Sequence, residues 1–209
     1  MDLFSQEEEK KEKIFEIFSL KDGEILFMKN FLTSTEAKKY FDILQTTINW
    51  KQEEIKYYGK IYPVPRKTAW YGYEGFDYSY SGINCNPAPW TKELLDLKKE
   101  IEKLIPTEDF NSVLLNMYRD GNDKVSWHAD DEKELGTNPT IASLSIGETR
   151  RFDLKHKDNP DLLYKFELTP GSLIIMKGAL QHNWLHQIPV QKKVTKPRIN
   201  LTFRTIVSE

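Results

Sequence analysis

Residues 198–204 read Arg-Ile-Asn-Leu-Thr-Phe-Arg, and this stretch constrains the fold more than any other. As a β-strand it sends Ile199, Leu201 and Phe203 to one face and Arg198, Asn200, Thr202 and Arg204 to the other. The apolar face must join a core. The polar face admits two readings. It is the wet side of a half-exposed sheet, or it lines an interior that holds an anion, because a buried guanidinium stays charged and needs an acidic partner.

The four histidines bear on that choice. His128 begins His-Ala-Asp, so His128 and Asp130 are two apart and project from the same side of an extended segment. A chance His-x-Asp arises in about one chain in four of ordinary composition, so the pair needs support. Two histidines and one carboxylate with open positions are the ligand type of non-haem iron(II) oxygenases. His182 and His186 both qualify as the third ligand, and being four apart they share a face of a strand. His156, between Lys155 and Lys157 before a turn, reads as an exposed loop residue. A carboxylate co-substrate chelating the metal would be the anion that the arginine face requires. Asn116 and Tyr118, also two apart, could donate hydrogen bonds to it.

The rest of the chain reads as one domain. Glu7 to Lys13, Glu-Glu-Glu-Lys-Lys-Glu-Lys, is a charge block within a polar tail or helix over residues 1–20. A single domain then spans 21–209, a length that supports a substantial core. A strand over Glu24–Phe31 precedes a helix capped by Thr33 or Ser34, with Tyr40, Phe41, Ile43 and Leu44 on its apolar face. A second helix over Trp90–Leu104 has Thr91 as its cap and leucines at helical spacing. From Asn111 onward short strands alternate with turn signals: Val113–Tyr118, Ile141–Ile146, Arg151–Lys155, Tyr164–Leu168, Ser172–Met176, Trp184–Val190 and Arg198–Ile206. This pattern predicts a mainly β member of the α+β class, a jelly roll braced by two helices. Cys85 is the only cysteine, so no internal disulfide forms, which fits a reducing compartment. No apolar run of about 18 residues exists to cross a membrane, and the polar, acidic N-terminus does not read as a secretory signal. The expected location is the cytoplasm, or the nucleus in a eukaryote. The net charge of −2 leaves nucleic-acid contact to local basic patches.

Several segments together resemble the AlkB family of iron(II)- and 2-oxoglutarate-dependent dioxygenases. They are Pro65-Arg-Lys-Thr-Ala-Trp-Tyr-Gly72, Tyr78-Ser-Tyr-Ser-Gly82, Asn116-Met-Tyr-Arg-Asp-Gly121 and Trp127-His-Ala-Asp-Asp-Glu132. Ala142-Ser-Leu-Ser-Ile-Gly147, Trp184-Leu-His-Gln-Ile-Pro189 and Pro197-Arg-Ile-Asn-Leu-Thr-Phe-Arg204 follow in the family's order. The likeness runs from about Ile55 to Val207 and leans toward the DNA-repairing homologues.

The resemblance implies a double-stranded β-helix core with a nucleotide-recognition lid over about 50–85. It implies His128, Asp130 and His186 as iron(II) ligands, preferring His186 for its Trp-x-His-x-x-Pro setting. Arg198 and Arg204 would bind 2-oxoglutarate, with Asn116, Tyr118 and Asn200 completing that site and O2 as the second co-substrate. Tyr80 would stack on a flipped base, with Tyr78, Glu132, Trp70 and Arg66 nearby. Tyr57 and Tyr58 align with a hairpin that inserts into duplex DNA. Lys56, Lys60, Arg66 and Lys67, with Lys192, Lys193 and Lys196, would reach phosphates. The implied reaction is oxidative demethylation of 1-methyladenine and 3-methylcytosine in DNA, by a monomer that touches no membrane. RNA or a protein side chain is the alternative substrate, and a metal-binding barrel without turnover the alternative class.

Overall fold

The structure, a computed structural model, describes residues 14–57, 59–75, 78–80 and 83–207, with backbone only at 56–57, 78–80 and 83–85. The chain opens with β1 (Glu16–Leu20) and β2 (Gly23–Met28), joined through Asp22 at φ 58°. Helix α1 (Ser34–Thr47) follows. Thr33 caps it: its Oγ1 accepts the Glu36 N–H at 3.2 Å, and Glu36 Oε2 accepts the Thr33 N–H at 2.9 Å. This reciprocal box satisfies two helix-end donors at once. Then come β3 (Glu54–Tyr57), β4 (Lys60–Pro63), β5 (Lys67–Gly72), β6 (Tyr78–Tyr80), β7 (Ile83–Cys85) and β8 (Ala88–Pro89). Helix α2 (Lys92–Glu102) is capped by Thr91.

The second half contributes β9 (Ser112–Tyr118), β10 (Val125–His128), β11 (Ile141–Gly147), β12 (Arg150–His156), β13 (Leu163–Leu168) and β14 (Leu173–Lys177). Short helix α3 (Leu180–Asn183), β15 (Trp184–Ile188) and β16 (Arg198–Arg204) complete it. An eight-stranded sheet runs in the order β1-β2-β14-β11-β16-β9-β5-β8, and a four-stranded sheet in the order β10-β15-β12-β13. Pairs β3–β4 and β6–β7 form separate two-stranded hairpins.

Two cores follow from this layering. Ala37 and Leu44 of α1 and Leu94, Leu97 and Ile101 of α2 pack with Leu144, Ile199, Leu201 and Phe203 of the large sheet. Phe152, Leu154, Phe166, Ile174 and Trp184 fill a second core with residues of both sheets. The expected jelly roll braced by two helices is therefore present. Every residue of β16 is buried, so its polar face turns inward rather than to water.

Three expectations change. Glu16–Leu20 is an edge strand paired with β2 from Glu16↔Phe27 to Leu20↔Gly23, not tail or helix; residues 1–13 lie outside the described residues. His156 is no exposed loop residue but is buried at the end of β12, opposite Trp184. Its Nδ1 accepts the Asp158 N–H at 3.1 Å, and its Nε2 lies 3.3 Å from Asp22 Oδ2. The turn between β1 and β2 supplies that partner, which no local pattern around His156 shows. His182 and His186 do not share a strand, since His182 belongs to α3.

Arg150 ties the loops below the site together. It is 1% exposed and donates to the carbonyls of Asp120, Asp123 and Pro189 at 2.8–2.9 Å and to Gln191 Oε1 at 3.1 Å. The loops meet so closely that a Cβ on Gly121 would lie 1.8 Å from the Gln191 carbonyl oxygen. Arg150→Met strands these buried acceptors and is expected to cost about 3 kcal/mol, read as a lower urea midpoint. A change within about 0.5 kcal/mol, the range of ordinary surface substitutions, would show that the acceptors find other donors.

Candidate active site

The register of the small sheet builds the centre of the site. In the β10–β15 pair, His128 stands directly opposite His186, and their ring centroids are 4.2 Å apart. Asp130 follows two residues beyond the end of β10. One ligand atom from each of His128, Asp130 and His186 lies within 4.8 Å of the others. His128 Nδ1 lies 2.8 Å from the Ser126 carbonyl. A carbonyl only accepts, so Nδ1 carries the proton and Nε2 is left bare; it sits 3.7 Å from Asp130 Oδ1. Phe152 stacks on His186 at 5.3 Å and fixes that ring's plane.

This cluster fits a divalent metal. Asp130 Oδ1 and His186 Nδ1 are buried without hydrogen-bond partners among the described residues. Unpaired buried polar atoms cost free energy, and a metal ion would satisfy the carboxylate. The protonation states also suit a ligand set, which requires ionised carboxylate and neutral imidazole. Burial would raise the Asp130 carboxyl, the largest single effect, but Arg204, His186 and His128 together outweigh it and hold the value at about 2. Burial pushes His186 down to about 3, reinforced by His128. His128 is lowered as well, chiefly by loss of hydration.

The two arginines differ in their partners. Arg204 Nη2 donates to Asp130 Oδ2 at 2.8 Å, a pair buried on both sides. Arg198 is fully buried and meets no acidic side chain among the described residues. Its Nη2 donates to Ser145 Oγ at 2.7 Å and to Asn200 Oδ1 at 3.3 Å, and its guanidinium lies 5.2 Å from the centre of the Tyr118 ring. Nε and Nη1 have no hydrogen-bond partner among the described residues. Burial pushes this guanidinium down to about 10, so it remains charged at neutral pH. A carboxylate ligand fits that demand. Asn200 Nδ2 donates to Ser143 Oγ at 2.9 Å. Ser143 and Ser145 share a face of β11 opposite Thr202 and Asn200, so the polar side of β16 is completed by a neighbour two apart in the same way.

A cavity lined by Asn116, Tyr118, His128, Asp130, His186 and Arg204 encloses the ligand cluster, and Arg198 is not part of its wall. A groove of about 890 Å³ adjoins it, bordered by Lys51, Glu53, Ile55, Trp70 and Trp127. Arg66, Leu114, Val125 and His128 line both spaces. Arg66 is therefore not a surface phosphate contact beside a hairpin: it is buried, and its Nε donates to Asn116 Oδ1 at 2.6 Å. The expected substrate contacts are only partly gathered. Trp70 borders the groove, whereas Glu132, just before the 3-10 turn at Lys133–Leu135, lines neither space. Tyr58 lies outside the described residues, as do the side chains of Tyr57, Tyr78 and Tyr80. Phe152 and Gln181 carry no site signal in the sequence, and Ser143 and Ser145 carry only their alternation within Ala142–Gly147.

The comparisons with known proteins agree with this geometry. Residues 24–204 match the model of the 2OG-Fe(II) oxygenase superfamily. The chain is 42% identical over 207 residues to alpha-ketoglutarate-dependent dioxygenase alkB homolog 3 of Bos taurus, covering 94% of this chain and 71% of the relative. It is 37% identical to DNA oxidative demethylase ALKBH2 of Bos taurus, covering 89% and 68%. A solved structure of OsALKBH1 shares the fold, with a TM-score of 0.61 at 14% identity, over 91% of this chain and all of that one. With a fold, a ligand cluster and relatives that converge on one chemistry, the chain belongs to the AlkB family of the 2OG-Fe(II) oxygenases and is an iron(II)- and 2-oxoglutarate-dependent dioxygenase.

Proposed function

We propose that this dioxygenase removes methyl groups from 1-methyladenine and 3-methylcytosine in DNA. The observation that carries the reading is the groove of about 890 Å³ that meets the ligand cluster at His128, a volume that would admit an extruded nucleotide. A base inside a duplex is out of reach of a buried centre and must be flipped out. The names of the relatives, among them a DNA oxidative demethylase, point the same way.

In this reading His128, Asp130 and His186 would hold iron(II), the ligand type of non-haem iron(II) oxygenases. Arg198 binds a carboxylate of 2-oxoglutarate, and Arg204, Asn116, Tyr118 and Asn200 complete that site. When bound, iron(II) with 2-oxoglutarate and oxygen supplies the oxidation: one oxygen atom enters succinate as CO2 leaves, the other enters the methyl carbon, which departs as formaldehyde. The side chains orient and exclude water. Arg204 keeps Asp130 ionised and aimed. Ser126 sets the His128 tautomer. Leu114, Phe152, Met176 and Ile188 supply the apolar part of the cavity wall, which limits water beside the centre. Arg66 and Trp70 border the path of the base, Tyr78 and Tyr80 are proposed to contact it, and Tyr57 and Tyr58 to contact the duplex. Glu132 would act at the edge of the base only after moving toward the groove.

Mass spectrometry of 1-methyladenine and 3-methylcytosine oligonucleotides tests this, each offered as single strand, duplex and RNA with iron(II), ascorbate and 2-oxoglutarate. Loss of one methyl mass from DNA, absent with Asp130→Ala, is the expected result. Demethylation of RNA alone, or of none while 2-oxoglutarate is still consumed, would sink the DNA reading.

A further inference from the structure

Asp130 supplies the acidic member of the ligand cluster, yet it stands outside the ladder that holds the histidines. Pairing of β10 with β15 stops at His128↔His186, and among the described residues no strand pairs with the backbone just beyond it. Two contacts replace the ladder. Gln181 of α3, fully buried, accepts the Asp130 N–H at its Oε1 at 3.0 Å and donates from Nε2 to Met176 Sδ at 3.5 Å. On the outer side, Lys157 Nζ reaches Asp131 Oδ2 at 3.3 Å and the Gln181 carbonyl at 3.2 Å. A buried amide is costly unless its polar atoms are used, and here the strong acceptor is spent on a single backbone N–H.

We infer that Gln181 is a positioning residue for the metal centre: it fixes the Asp130 backbone so that Oδ1 alone faces His128 and His186. Arg204 occupies Oδ2 at 2.8 Å, and that division between the two oxygens holds only if the backbone cannot rotate. Gln181 lies five residues before His186, so one short segment carries a ligand and anchors the backbone of another. The inference rests on the assignment of the metal to His128, Asp130 and His186.

Anaerobic titration of the full chain with cobalt(II), followed by its visible absorption, tests it without turnover. Wild type is expected to bind and Asp130→Ala to lose binding. Gln181→Met, close in volume but without the acceptor, should bind about tenfold more weakly, in the range seen for outer hydrogen bonds to metal ligands, with an altered spectrum. Gln181→Glu keeps an oxygen at the same reach, neutral when buried, and should recover most of the affinity. Wild-type affinity and spectrum in Gln181→Met overturn the inference and leave the ligand assignment standing. Wild-type behaviour in Asp130→Ala overturns the assignment itself. Should circular dichroism show Gln181→Met unfolded, Gln181→Leu carries the same two outcomes.

Discussion

His186→Ala is expected to abolish metal binding and demethylation together, while His182→Ala leaves both unchanged. The two histidines are four residues apart, and either fits a ligand by spacing alone. Their surroundings separate them. His186 is buried on β15, faces His128 across the ladder and stacks on Phe152. His182 is exposed on α3, where, among the described residues, its Nε2 meets only the Asn138 N–H, at a long 3.4 Å. Loss of an outer hydrogen bond to a metal ligand costs roughly ten- to hundredfold in affinity or activity; loss of the ligand itself removes more, so activity should fall below detection. Cobalt(II) absorption and mass spectrometry of a methylated oligonucleotide read the two effects side by side. Retained binding in His186→Ala, or equal loss in His182→Ala, would refute the ligand set.

What the sequence made legible was periodicity, and what it hid was pairing. The Thr33/Glu36 box and the leucines of α2 announce helices because their signals lie within a few residues. The alternation in β16 likewise announces a two-faced strand. It does not say what faces the polar side, since register is decided by strands far away in the chain. Arg204 meets Asp130 across 74 residues, Arg66 meets Asn116 across 50, and His156 meets Asp22 across 134. His156 read as exposed for that reason: its neighbours are lysines, and its partner Asp22 comes from the first turn of the described chain. Arg66 read as a surface cation for the same reason. Gln181 carries no local signal at all, being an ordinary amide until α3 folds over the Asp130 loop. Hairpins β3–β4 and β6–β7 have strands of three or four residues, too short for a period to emerge.

Arg198→Met is expected to make the protein without co-substrate more stable and to erase its stabilisation by 2-oxoglutarate. Arg198 is 0% exposed, and its named partners are a hydroxyl, an amide oxygen and the face of Tyr118, none of them a full negative charge. A charge held this way costs several kcal/mol in lost hydration, and replacing buried charges by apolar side chains of similar size commonly gains about 1–4 kcal/mol. In a domain of this size each kcal/mol moves the melting temperature by about 2–4 °C. The same change removes the cation that a buried carboxylate would meet, a loss of about 2–5 kcal/mol, so the KM for 2-oxoglutarate should rise at least about thirtyfold. Arg204→Met, at the other end of the same strand, should act in the opposite sense on stability. It leaves Asp130 buried without its cation, and breaking a buried pair from one side costs about 3–5 kcal/mol. Thermal unfolding of both variants, with and without 2-oxoglutarate, distinguishes a guanidinium kept for a ligand from one kept for the fold. A fall in melting temperature for Arg198→Met, or an undiminished shift on adding 2-oxoglutarate, would mean that Arg198 serves the structure, and the co-substrate carboxylate would have to be sought against a group that lines the cavity, such as Arg66 or Arg204.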